Sequence, residues 1–322
     1  MFKTDWEKTS SHHKIAESVI EKMIQASYPH KKLLSHELIA GGCANLNYKV
    51  TFAHEADPVL LRIYLRDANA ALIEEKLGSA LKNIIPLPQT YHINKIEGYC
   101  FAITQFMPGI PLRDLLLRNE SYNLYEIMYD VGIILSKIAT LTPTEPDIFF
   151  TELNHAQGIP DESIKQFSLE MLNHPQVAKY LSMEMRSSLN RCIQLLPDHA
   201  IIKKNLVHAD FDPANILVKQ YGDKWKISAV LDWEFAYAGS WTDDVATMLR
   251  YGHKMSGTFK TGFLTGLTDG GIEIPNDLDL RIHQYNIAAL LDAIPRHPLD
   301  QRPKIYRDIL ELLKHILSEL YS

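Results

Sequence analysis

The spacing of apolar residues changes period several times along this chain. Ile15, Val19, Ile20 and Met23 recur at helical intervals, predicting a helix over 12–27 capped by Ser10 or Ser11. The period then shortens. Tyr48, Val50 and Phe52 alternate with polar neighbours, and V-L-L-R-I-Y-L over 59–65 is an apolar run broken by one cation, Arg62. Both patterns predict strands. Leu72, Leu77 and Leu81 return to near-helical spacing and predict a helix over 68–82. A strand over 89–93, a Glu97-Gly98 turn and a return strand over 99–106 follow.

Pro108 and Gly109 then break the pattern, and helices dominate. One begins near Leu112, and a strong one covers 122–140 with Leu124, Ile127, Met128, Val131, Ile134, Leu135 and Ile138 on a broad face. Residues 143–160 read as an irregular connection, and further helices are expected over 163–181 and 183–196. A β-leaning run over 201–207 and short strands over 216–218 and 225–231 interrupt them. Helices resume over 243–251, 257–267, 278–294 and 302–320. The expected fold class is α+β in two lobes: a β-rich one over 1–107 and a helical one over 108–322.

Composition narrows the function only slightly. The 322 residues suffice for two lobes with real cores, and 46% hydrophobic with 22% charged residues is ordinary for a soluble protein. A net charge of −6 gives no electrostatic case for nucleic acid and is compatible with a cationic small molecule. Cys43, Cys100 and Cys192 are odd in number and widely spaced, so reduced thiols are expected. The first residues lack the apolar core of a signal peptide, and no apolar run approaches bilayer length, which predicts a cytoplasmic protein without a membrane partner.

Chemistry concentrates at 208–215, read H-A-D-F-D-P-A-N, and at L-D-W-E over 231–234. Strand, polar loop, strand, turn and strand would bring Asp210, Asn215 and Asp232 to one point. Phosphoryl transfer from a Mg-nucleotide needs this set. One Asp positions and deprotonates the attacking hydroxyl, while an Asn and a second Asp offer Mg²⁺ the hard oxygen ligands it prefers. Asp212 reads either as a substrate contact or as a turn cap before Pro213. Glu234 suits a supporting role near metal or substrate, and Trp233 suits packing. Asp243 and Asp244 open a helix, where acidic residues favour the N-terminus.

These blocks resemble the aminoglycoside phosphotransferase family and choline-kinase-like relatives, small-molecule kinases that share the protein-kinase fold. The matching stretches are H-x-D-x-x-x-x-N at 208–215, [IVL]-D-[WF]-E at 231–234 and the G-x-x-x-x-D of Gly239 and Asp244. The resemblance implies ATP or GTP and Mg²⁺ as cofactors, with a small-molecule hydroxyl as acceptor. The acceptor is an aminoglycoside-like amino sugar or, alternatively, choline, ethanolamine, homoserine or a sugar. A protein-directed kinase and a silent nucleotide-binding scaffold are the readings of another class. The chain lacks an activation loop with an A-P-E anchor, and its Asp210, Asn215 and Asp232 are intact; these two facts weigh against them.

The same resemblance assigns nucleotide binding. Gly41, Gly42 and Asn45 lie in a strand–turn–strand stretch whose glycines let backbone N–H groups approach phosphate. Arg62 takes the place of the usual strand lysine, paired with either Glu74 or Glu75, Glu74 fitting the family's E-x-x-x-L helix. Gln105 and Met107 lie in the hinge that reads the adenine edge. His208 and Asp244 brace the loop. Acidic residues over 269–292 either surround a polyamine or form solvated helix faces and caps.

Overall fold

The computed structural model describes residues 2–7, 15–39, 45–118, 120–142, 164–197, 204–297 and 299–321. Packing divides the chain into two compact units. The smaller comprises Glu7–Leu115 and Asn215–Glu234; the larger comprises Met1–Trp6, Leu116–Ala214 and Phe235–Ser322. Set beside the expected cut at 107/108, the β-rich unit extends to Leu115 and takes in Asn215–Glu234, and the first six residues go with the helical unit.

In the smaller unit, β1 (Leu33–Leu38), β2 (Leu46–Phe52), β3 (Val59–Tyr64), β4 (Thr90–Ile96) and β5 (Tyr99–Gln105) form an antiparallel sheet ordered β1-β2-β3-β5-β4. Period-two alternation along β2 buries Leu46, Tyr48, Val50 and Phe52. These meet Leu61 and Ile63 of β3, Phe101 and Ile103 of β5, and Val19, Ile20, Met23 and Ile24 of helix α1 (Glu17–Ser27). The same alternation turns Arg62 and Tyr64 to the opposite face. There Tyr64 packs with Ala102 and with Ala70 and Ala71 of helix α2 (Ala70–Leu81). Helix α1 was expected from residue 12; the serine caps at 10 and 11 lie outside the described residues. Glu97 and Gly98 both adopt positive φ in the two-residue turn joining β4 to β5.

A second sheet in this unit pairs β6 (Ile110–Pro111), β8 (Ile216–Tyr221) and β9 (Lys224–Val230) in the order β6-β8-β9. Gly109 leads into it at φ 141°, and a Cβ there would lie 2.7 Å from both Ser228 Oγ and the Val218 carbonyl. Only glycine fits.

Helices build the larger unit. Short α3 (Leu112–Leu116) straddles the boundary and is followed by α4 (Leu124–Ala139), which Asn123 caps by accepting the Glu126 N–H at 3.1 Å. The helix expected over 163–181 is two: α5 (Ile164–Leu172) and α6 (Pro175–Tyr180), with Pro175 opening the second. Then come α7 (Met183–Leu195), α8 (Thr242–Leu249), α9 (Gly257–Asp269), α10 (Leu278–Arg296) and α11 (Pro303–Tyr321). Helices α4 and α9 touch along their backbones. A Cβ on Gly266 would lie 2.1 Å from the Tyr129 carbonyl oxygen, and one on Gly132 would lie 2.2 Å from that of Phe263. Strand β7 (Asn205–Val207) pairs antiparallel with β10 (Tyr237–Gly239) and ends at the H-A-D-F-D-P-A-N loop. Among the described residues no helix is long and apolar enough to cross a membrane. Cys100 and Cys192 are free.

Candidate active site

Two partly buried clusters gather the candidate residues, one in each unit. The first is the loop after β7. Asp244, fully buried at the start of α8, accepts the backbone N–H groups of His208 at 2.8 Å and Ala209 at 2.9 Å. Those bonds hold Ala209 at φ 68°, a left-handed conformation that a residue with a Cβ avoids without such restraint. The buried His208 ring accepts the Asp210 N–H on Nδ1 at 3.2 Å and packs edge-on against Phe211. Asp212 accepts the Ala214 N–H at 2.6 Å, so it caps the turn at Pro213.

Behind the loop Asp243 is not the exposed helix cap its position suggests. It is buried and accepts the Tyr237 hydroxyl at 2.9 Å. Burial raises its pKa to about 6, with the Tyr237 hydroxyl and Arg250 pulling the other way. Burial and the neighbouring Asp243 push Asp244 up as well.

The loop also has a partner that sequence reading missed. Lys3 places its ammonium 2.6 Å from Asp210 Oδ1 and 2.5 Å from Asp212 Oδ2. Burial opposes the charge on Lys3, but the two carboxylates outweigh it and raise its pKa. No periodic or motif signal links a lysine at position 3 to an aspartate 207 residues on.

The second cluster centres on Arg62, delivered by β3 to the face away from α1. Its Nη2 lies 3.3 Å from Glu74 of α2, binds Asp232 closely and stands 3.8 Å from Glu234. Of the two candidate glutamates Glu74 is the partner, while Glu75 is exposed on the outer face of α2. Tyr64, on the same face of β3, donates its hydroxyl to Glu74 at 2.5 Å. Burial works against the guanidinium charge, yet Glu74 and Asp232 hold its pKa well above the ordinary value. Asp232 sits at φ 68°, just past β9. Trp233 is buried, its indole donating to the Val230 carbonyl at 3.1 Å, as a packing residue would.

Glu234 is raised to about 7 by burial and by Asp232, against Arg62 and Asn45. One carboxylate oxygen accepts the Asn45 amide at 2.9 Å, and the other is buried with no hydrogen-bond partner among the described residues. Asn45 also accepts the Leu65 N–H at 3.4 Å. Its side chain thus has a protein partner at each end. Asn215 begins β8's approach in this unit, and its carbonyl accepts the Leu231 N–H at 2.8 Å. Gln105 and Met107 are half-buried at the end of β5, and the Gln105 N–H is tied to the Gln89 carbonyl at 2.7 Å. Gly41 and Gly42 lie outside the described residues.

The sequence profile of the APH phosphotransferase enzyme family matches residues 35–273. The chain belongs to that family. Solved phosphotransferases share its fold. The GDP complex of aminoglycoside 2′-phosphotransferase-IIIa aligns with TM-score 0.71 at 16% identity, over 95% of this chain and 99% of that one. The GDP and kanamycin complex of APH(2″)-IIIa aligns with TM-score 0.66 at 18% identity, over 93% and 98%. The AMP-PNP and hygromycin B complex of aminoglycoside phosphotransferase APH(4)-Ia gives TM-score 0.65 at 15% identity, over 95% and 98%. No curated protein matches the sequence. As in this phosphotransferase fold, the expected α+β class stands, with an antiparallel five-stranded sheet preceding a helical region.

The acidic stretch near the C-terminus is paired locally. Asp277 meets Arg281 at 2.9 Å, Asp279 meets Lys260 at 2.6 Å, and Asp292 meets Arg296 at 2.6 Å. Partly exposed pairs of this kind contribute little stability.

Proposed function

We propose that this phosphotransferase moves the terminal phosphate of ATP or GTP to a hydroxyl of a small molecule, an aminoglycoside-like amino sugar being the favoured acceptor. The observation that carries the reading is the charge balance around Arg62. One guanidinium faces three carboxylates, Glu74, Asp232 and Glu234, and one buried Glu234 oxygen has no hydrogen-bond partner among the described residues. Such an excess of partly buried carboxylate oxygen fits a divalent cation with hard-ligand preference. Asp232 and Asn215 would hold Mg²⁺, which when bound neutralises charge on the nucleotide phosphates.

Arg62, steadied by Glu74, is the cation for the donor phosphates. Its planar fork and permanent charge suit that task. Gly41 and Gly42 would offer backbone N–H groups to phosphate, Gln105 and Met107 would face the base, and Asn45, which holds Glu234, would line the phosphate site with them. Asp210 orients the acceptor hydroxyl and takes its proton. Asp244 and His208 fix the loop geometry that this alignment needs, and positioning supplies much of the acceleration in such chemistry.

A nucleotide-consumption screen across aminoglycosides, amino alcohols and sugars tests the reading. Mg²⁺-dependent consumption should appear with an amine-bearing alcohol and vanish in Asp210→Asn. Consumption confined to neutral sugars would overturn the acceptor class, and consumption unchanged in Asp210→Asn would overturn the base.

A further inference from the structure

The first residues of the chain occupy the group assigned as catalytic base. A hydroxyl acceptor must come within about 2.6–3.2 Å of the Asp210 carboxylate to give up its proton. The Lys3 ammonium already lies 2.6 Å from Asp210 Oδ1 and bridges to Asp212. Two anchors flank it. Phe2 is 1% exposed, its ring centroid 5.2 Å from Tyr251 and 6.4 Å from Phe259. Trp6 donates its indole N–H at 2.8 Å to Asp308, which also takes the Tyr251 hydroxyl. All of these residues belong to the larger unit.

The backbone adds a second observation. Phe2 and Lys3 hold φ of 50° and 60°, two successive left-handed residues with side chains and no glycine. Such a conformation carries a conformational cost and persists only where contacts over-determine it. Here those contacts are the Phe2 and Trp6 anchors together with the Lys3 ammonium on Asp210 and Asp212, and the last is a contact that an amine-bearing acceptor would also make.

We propose that residues 2–6 form an in-cis pseudo-acceptor, in which the Lys3 ammonium competes with a cationic acceptor for Asp210 and Asp212. The inference rests on Asp210 being the acceptor-binding base. Occupation by Lys3 and by an acceptor amine is mutually exclusive, because both seek the same two carboxylates. The segment therefore sets an affinity threshold: weakly cationic hydroxyl compounds leave it seated, and polycations displace it. An in-cis competitor raises the apparent KM and leaves kcat at saturation unchanged. If the segment is displaced in roughly a tenth of molecules, its removal tightens apparent binding about tenfold.

The test uses the full chain as wild type, Lys3→Met, Phe2→Ala and Asp210→Asn, with spermidine, a polyamine lacking a hydroxyl, as the calorimetric probe. Mg-nucleotide turnover is measured alongside with kanamycin and ethanolamine. Lys3→Met and Phe2→Ala should each bind spermidine about tenfold more tightly than wild type. Any accepted substrate should show a matching fall in KM at unchanged kcat. Phe2→Ala releases the anchor without touching the carboxylates, so it decides the matter if Lys3→Met folds poorly. Equal or weaker spermidine binding in both variants, with turnover still lost in Asp210→Asn, sinks the pseudo-acceptor alone. Turnover retained in Asp210→Asn sinks the base assignment and the pseudo-acceptor with it.

Discussion

Arg62 stands at 9% exposure among three acidic side chains, so its removal has two separable effects. Arg62→Ala leaves three carboxylates without their cation in a desolvated place, a loss on the scale of about 3–5 kcal/mol for a broken buried pair. Arg62→Lys keeps the charge but not the fork. It should lose much less stability while weakening nucleotide binding. Urea midpoints set against nucleotide titrations separate the two, and an Arg62→Ala protein as stable as wild type would contradict the burial argument. At Asp210 the expectation is the reverse. Asp210→Asn should leave Mg-nucleotide binding nearly intact while turnover falls by roughly 10²–10⁴-fold, as for loss of a positioned base. Single-turnover and equilibrium binding measurements on one preparation give both numbers. At this scale the sequence was legible where a motif fixes spacing. H-x-D-x-x-x-x-N singled out Asp210, the proposed base, and E-x-x-x-L favoured Glu74, the glutamate that pairs with Arg62. It was silent on Lys3, because an ion pair closed across the whole fold leaves no local trace. Asp243 misled for a related reason: helix position indicates a cap, whereas burial beneath Tyr237 is decided by tertiary packing.

Among the elements, the α4–α9 pair is held at backbone contact distance, which makes a sharp prediction. Gly266→Ala pushes a methyl group against the Tyr129 carbonyl, 2.1 Å from the ideal Cβ position, and neither helix backbone yields cheaply. Overpacking of this kind costs about 1–3 kcal/mol or more. Gly257→Ala, with nothing within 4 Å of its Cβ, should be neutral or slightly stabilising. Thermal melts of the two variants should therefore move apart, and equal melting temperatures would rule out the close crossing. A second element-level effect is acid sensitivity near α11. His253 and His315 stack with ring centroids 3.7 Å apart, and burial, His315 and Lys254 lower the His253 pKa from 6.5 to about 4. Between those values the unfolded chain binds more protons than the folded one, so stability is full above about pH 6.5 and falls as pH drops toward 4. His253→Phe should flatten that slope, as read from melting temperatures at pH 7 and pH 5. The longer strands and helices were visible in the apolar spacing, since burying one face imposes a period of 2 or 3.6; β6 and β10 are too short to show a period. Apolar spacing alone ran α5 and α6 together; the break falls at Pro175, where a residue preceding proline is driven out of helical conformation.

At the scale of the whole molecule, ligand binding to the folded state alone should raise its melting temperature. Saturating Mg-nucleotide at about 100 times Kd adds about 2.7 kcal/mol. In Asp232→Asn the part of that gain requiring Mg²⁺ should largely disappear, while the metal-free nucleotide increment stays. A metal-dependent shift of wild-type size in the folded variant would remove Asp232 from the metal site. The larger-scale organisation was only half legible. Composition marks a β-rich stretch followed by a helical one, but the return of Asn215–Glu234 to the first unit depends on a pairing, β6 with β8, between segments more than 100 residues apart. That return has a consequence for how the protein is made. As the chain leaves the ribosome, residues up to Leu115 emerge without the strands that complete their unit, which arrive only with Asn215–Glu234. At roughly 5–20 residues per second the wait is on the order of ten seconds. Throughout it Arg62 and Glu74 are translated but Asp232 and Glu234 are not. The nascent sheet is therefore the stage at which a holding chaperone would have most to bind, and slowing translation between the two segments should lower the soluble yield.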